Sequence, residues 1–104
     1  MIVLKVVSND AKTIKNVAKE LLQTNLAINV SIESNVIHYT LINDELIPQQ
    51  IHILSAKTKA LLFNHIDDFL TKNFGDNLTE IYSVPIVHMD WKQADQLVKD
   101  VKPV

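Results

Sequence analysis

Apolar and polar positions change period several times along the chain, and each change marks a new element. Ile2-Val3-Leu4-Lys5-Val6-Val7 is a β-branched run, apolar on both faces except at Lys5, as a central strand requires. Ser8-Asn9-Asp10 offers N-caps. Beyond it Ala11, Ile14, Val17, Ala18, Leu21 and Leu22 recur at helical spacing, with Lys12, Lys15, Lys19 and Glu20 mostly opposite. From Ala27 the period drops to two. Ile28, Val30, Ile32 and Val36 alternate with Asn29, Ser31, Glu33 and Asn35, and the strand continues through Ile42. Asn43-Asp44 tolerates positive φ and suits a two-residue hairpin turn. The return strand runs from Glu45 to about Ala56, with Pro48 marking an edge or a bulge.

A second helix is predicted from about Lys57-Thr58, with Leu61, Leu62, Ile66, Phe69 and Leu70 inward. Gly75, the only glycine, stands where a left-handed C-cap would need one. Leu78 to His88 reads as a fourth strand. Asp90 and Gln93 then have capping-box spacing, and Trp91, Ala94, Leu97, Val98 and Val101 form the apolar stripe of a last helix. The order β-α-β-β-α-β-α, with right-handed crossovers around a hairpin, predicts an α+β ferredoxin-like sandwich: a four-stranded antiparallel sheet with helices on one face. At 104 residues the chain is one domain, 1–104.

The long hairpin carries the first functional signal. Simple register about the turn places Val36 opposite Ile51 and Ser34 opposite Ile53, a set expected on the helix-covered face. Nearer the tip both faces are apolar: Ile37, Tyr39, Leu41 and Leu46 on one, Ile42 and Ile47 on the other. A lone molecule would expose that surface, so the tip is expected to pack on a neighbouring subunit, with Trp91 also at the oligomer interface, unless the last helix folds back over the tip within one copy.

Composition removes several kinds of chemistry. There is no cysteine, which excludes disulfides, thiolate metal sites and cysteine nucleophiles. Ten lysines, no arginine and twelve acids give a net charge of −2, a poor balance for nucleic acid or anionic membrane. Acylphosphatase chemistry on this topology needs an arginine, and an RNA-recognition motif needs stacking aromatics that Gln49-Gln50-Ile51-His52-Ile53-Leu54 does not offer. With no membrane-length apolar run and no export signal, the expected setting is cytoplasmic.

Among the histidines (His38, His52, His65, His88), none is spaced as a ligand pair. His65 beside Asp67 and Asp68 reads as a solvated face. His88 with Asp90 could hold a hard-to-borderline divalent ion, although capping alone accounts for Asp90. Glu80 is a candidate cation or lysine partner if it lies at a subunit seam. Lys57, at the expected start of a helix, opposes the dipole there and so calls for an anionic partner. Asn29, Ser31, Glu33, Asn35 and His52 form a polar stripe expected on the sheet face away from the helices.

These segments together resemble the CutA family, the divalent-cation tolerance proteins, from about Val3 to Leu97. Asn25-Leu26-Ala27-Ile28-Asn29-Val30 is similar to that family's K-L-A-A-C-A/V. Tyr39 to Leu46 falls where it has Y-x-W-x-G-K/E-[LI], and Ile53 to Thr58 resembles x-[LI]-x-[LI]-K-T. Glu80 to Ile86 is similar to P-E-[IL]-x-x-[LIV]-P-[IV], and His88 with Asp90 stand where some members have H-G-D. The resemblance implies a non-enzymatic homotrimer with exchanged hairpins. It also implies an inter-subunit cleft holding Lys57, Glu80 and the Tyr39 region, with copper or another divalent ion bound in some members; Asn29 is a further ligand-binding candidate here, and Glu80, His88 and Asp90 are the candidate ligands for copper or zinc. Asn29 stands at the family cysteine, Ile42 at the hairpin tryptophan, Asp44 at the turn glycine, and Phe74-Gly75-Asp76 at the H-P-Y stretch; the lost thiolate removes the soft ligand that favours copper. Two other classes share the topology: a PII-like trimeric sensor of a small metabolite, and a dimeric ferredoxin-like monooxygenase.

Overall fold

The computed structural model describes residues 1–104. Strand β1 (Ile2–Ser8) leads to helix α1 (Ala11–Gln23), the hairpin of β2 (Ile28–Ile42) and β3 (Glu45–Thr58), a 3-10 turn (Ala60–Leu62) and α2 (Phe63–Phe74). A second 3-10 turn (Gly75–Asn77), β4 (Glu80–Pro85) and α3 (Trp91–Asp100) complete the chain. The strands pair in the order β2-β3-β1-β4, and every pairing is antiparallel. The sandwich expected from the alternation of elements is what forms. Leu4, Val6, Leu54 and Ala56 from the sheet meet Ile14, Val17 and Leu21 of α1, Ile66 and Leu70 of α2, and Leu97 with Val101 from the α3 segment, in one core. Asp10 caps α1, accepting from Lys12 N–H and, at 2.7 Å, from the Thr13 hydroxyl.

That core fixes which sheet face is which. Leu54 and Ala56 point to the helices, so alternation sends Ile51, Ile53, Ser55 and Lys57 to the open face. The expected placement of Val36, Ile51 and Ile53 against the helices is therefore reversed. The cause lies in β2. Val36 does face Ile51 and the register is regular through Tyr39↔Pro48, but Glu33, not Ser34, faces Ile53. One bulge falls between Glu33 and Val36 and a second between Ile28 and Ser31, each containing an asparagine at positive φ (Asn35, 60°; Asn29, 53°). Pro48 needs no bulge, because β1 pairs only with His52–Thr58 and leaves Pro48 on a free edge. His52 leaves the expected open stripe: it alternates with Leu54 toward the helix side and is buried.

Other expectations shift at element ends. Lys57 and Thr58 remain in the sheet, because β1 offers ladder partners as far as Ile2 and the Thr58 hydroxyl donates to Leu26 O at 2.6 Å. Lys57 therefore does not sit at a helix N-terminus. Gly75 has φ −48° and opens a 3-10 turn rather than serving as a left-handed cap; positive φ is taken by Asn25, Asn29, Asn35, Asn43 and Asp44. Strand β4 ends at Pro85, short of His88, where β1 runs out. Asp90 does cap α3, accepting from Gln93 N–H at 2.9 Å, but Trp91 and Val98 of the expected stripe face outward and only Leu97 of that helix is fully buried.

The hairpin projects. The molecule measures 47 × 29 × 21 Å with a radius of gyration of 14.7 Å, against about 13 Å for a compact chain of this length. Helix α3 does not fold back over the tip. It is held at the opposite end, where Lys57 Nζ donates to Gln93 Oε1 and Lys102 N–H to Asn25 O. Leu41 and Leu46, facing each other across the hairpin, are 65% and 69% exposed.

Candidate functional site

Two concavities gather the chemistry-bearing residues. The first lies on the open sheet face where the hairpin leaves the body. Register pairs His38 with Gln49, and alternation sets Thr40 and Ile51 on the same side. Val7 pairs with Glu80 across the β1–β4 ladder. The twist of the hairpin brings these two sets around one hollow of about 260 Å³, floored by Val7 and Ile51 and rimmed by His38, Thr40, Gln49, Thr79 and Glu80.

The second hollow, about 430 Å³, is at the base. Val3, Ile86 and Met89 line it together with Lys57, His88, Asp90 and Gln93. Lys57 Nζ donates to Gln93 Oε1 at 2.9 Å. Asp90 is occupied by its cap, accepting from Gln93 N–H on one oxygen and from Gln93 Nε2 on the other at 3.1 Å. The anionic partner expected for Lys57 is thus a neutral amide.

These positions divide the candidate residues. Lys57, His88 and Asp90 come together. Glu80 does not join them: it pairs with Val7 while Pro85 pairs with Ile2, so the length of β4, roughly 16 Å, separates it from the His88 end. Tyr39 points to the hairpin face opposite His38 and Thr40, and Asn29 supplies the backbone of the first bulge. No three histidine or carboxylate side chains converge within the chain, so Glu80, His88 and Asp90 do not form one ion site in a single copy. Glu80 instead lines the same hollow as His38, a residue of a distant strand that local spacing along the sequence could not bring to it. Thr40, Gln49 and Thr79 were missed for the same reason. Imidazole and carboxylate together suit zinc or copper(II), with remaining positions left for water or another copy.

No protein-family model and no curated protein matches the chain. Solved structures do. CutA1 from Oryza sativa superposes with a TM-score of 0.87 at 18% identity, covering 99% of this chain and 94% of that one. The chain has the CutA1 fold. The divalent cation tolerance protein of Thermus thermophilus aligns at a TM-score of 0.83 and 20% identity, over 98% of this chain and all of the other. CutA1 of Shewanella sp. SIB1 aligns at 0.86 and 14%, over 98% and 95%. The likeness to these CutA1 structures thus runs along nearly the whole chain. No helix is long and apolar enough to cross a membrane, and the CutA neighbour from Archaeoglobus fulgidus is described as periplasmic.

Proposed function

We propose that the protein is a non-enzymatic, homotrimeric divalent-cation tolerance protein of the CutA kind. The observation that carries this reading is the likeness to CutA1 structures along nearly the whole length of both chains. The apolar hairpin tip supports the assembly: Ile37, Tyr39, Leu41, Ile42, Leu46 and Ile47 are exposed in one copy and need a cover. A zinc or copper(II) ion would be held by His38 and Glu80 in the open-face hollow, its other positions filled by water or by a second copy. With two protein ligands per chain and no thiolate, affinity is weak, and an imidazole–carboxylate pair holds copper(II) more tightly than zinc. Lys57 keeps its hydrogen bond to Gln93 and stands apart from the ion.

Calorimetric titration with zinc and with copper(II) tests this. Glu80→Gln and His38→Ala are each expected to weaken binding tenfold or more, while His88→Ala leaves it unchanged. The absence of heat and of any melting shift with either ion would refute the cation reading, and loss of binding in His88→Ala would move the site to the base.

A further inference from the structure

The larger of the two hollows, at the base, holds a pair of opposite charges that the cation reading leaves unused. Its volume of about 430 Å³ is that of a small-molecule site. Val3, Ile86 and Met89 are half-buried and give it an apolar lining; Lys57, paired with Val3 in the sheet, is half-buried too, while Asp90 and Gln93 stand exposed at the rim. One side chain joins the charges. The Gln93 carboxamide accepts from Lys57 Nζ at 2.9 Å through its oxygen and donates to Asp90 Oδ2 at 3.1 Å through its nitrogen. Ammonium and carboxylate are therefore no more than about 8 Å apart. Neither is saturated: the ammonium has protons to spare, and each Asp90 oxygen keeps a lone pair beyond its bond to Gln93. Capping α3 fixes the direction of that carboxylate. A divalent ion would need it to turn, whereas an ammonium needs only one acceptor.

We propose that this hollow binds a free zwitterionic α-amino acid with an apolar side chain. The polarity of Gln93 sets the class: a ligand beside it must offer an acceptor to Lys57 and a donor to Asp90. An α-amino acid carries a carboxylate and an ammonium on one carbon, and with a hydrogen bond at each end it spans the interval that the amide spans. A plain carboxylate would satisfy Lys57 but bring its charge toward Asp90. A plain amine would satisfy Asp90 but bring its charge toward Lys57. The zwitterion meets both and is neutral overall. Its side chain leaves water for Val3, Ile86 and Met89, and a leucine-sized group gains about tenfold or more in affinity over glycine from that burial. Neither His38 nor Glu80 lines this hollow, so the site stands whether or not those residues hold an ion.

Equilibrium dialysis of the full chain against radiolabelled L-leucine, with EDTA present so that no metal chelates the ligand, tests this. Saturable binding is expected. Unlabelled competitors separate the parts of the ligand: 4-methylpentanoate lacks the ammonium, isopentylamine the carboxylate and glycine the side chain. Each is expected to displace the label at least about tenfold less well than L-leucine. Lys57→Met is expected to weaken leucine binding about tenfold or more, and so is Asp90→Ser, which keeps a capping oxygen for α3. Circular dichroism verifies that both variants are folded. No saturable binding up to about 10 mM leucine would overturn the proposal. So would 4-methylpentanoate or isopentylamine competing as well as leucine, since the site would then recognise one charge only. Unchanged affinity in either folded variant would overturn it as well.

Discussion

Charging the hairpin tip separates assembly from folding. Leu41 and Leu46 face each other across the two strands and remain about two-thirds exposed in a single copy. Leu41→Glu with Leu46→Lys keeps a favourable cross-strand pair, so the stability of one copy should change by no more than about 0.5 kcal/mol. The effect on assembly is different. Burying a leucine fully is worth about 1.5–3 kcal/mol. With two-thirds of each still to bury, the pair contributes ~2–4 kcal/mol to each hairpin contact, or roughly 30- to 1,000-fold in its dissociation constant. Leaving charges in a dry contact adds to the loss. Sedimentation velocity at several concentrations, beside thermal melting of the same samples, reads both quantities. The expected result is loss of the threefold species with a folded, smaller particle remaining. A double variant that keeps the wild-type mass, or a wild-type chain that never associates through this tip, refutes the argument that these leucines need a partner.

Two further outcomes concern the fold itself. Gly75 sits in right-handed helical backbone, and a Cβ there would meet Thr71 Cγ2 at 3.5 Å, an ordinary contact; Gly75→Ala is therefore expected to stabilise the chain by about 0.4–1 kcal/mol in urea unfolding, and a clear destabilisation would restore the left-handed cap. The Thr13 hydroxyl, the Lys12 and Thr13 backbone and the Lys12 charge hold the Asp10 carboxyl below its usual range, against an opposing effect of desolvation. A depressed folded value means the contribution is present above the ordinary carboxylate range and is lost as pH falls through the folded value; Asp10→Asn should flatten that acid loss, and superimposable acid-melting profiles would show that the cap does not titrate with folding.

The elements were legible because their periods are strong. The helical spacing of Ile14, Val17 and Leu21 and the alternation after Ala27 have few competing readings, and both strands of the hairpin start and stop at the turn that Asn43-Asp44 announced. What could not be read were places where one residue changes the count. Asn35 and Asn29 look like ordinary polar positions of an alternating strand. Yet each adds a residue to β2 against β3, and that insertion decides whether Glu33 or Ser34 faces Ile53. The assignment of Gly75 failed for a different reason: α2 runs directly into a 3-10 turn with Gly75 at φ −48°, so its end uses no left-handed residue.

The site shows where local pattern stops being informative. His88 and Asp90 stand two residues apart and do share a hollow, but Asp90 holds α3 with both carboxylate oxygens. Those two hydrogen bonds leave a lone pair on each oxygen but fix the direction of the carboxylate toward the helix end. Glu80 has no such duty, and its hollow includes His38, more than forty positions away along the chain and on a strand that never pairs with β4. Sequence spacing brings together residues that structure then employs, whereas donors free to bind a ligand are brought together by sheet twist. For this chain, then, the proposed cation site lies where the long hairpin leaves the sheet, and the hairpin's apolar tip and the neighbouring hollow lined by His38 and Glu80 should respond separately to substitution: tip variants in mass, hollow variants in metal affinity.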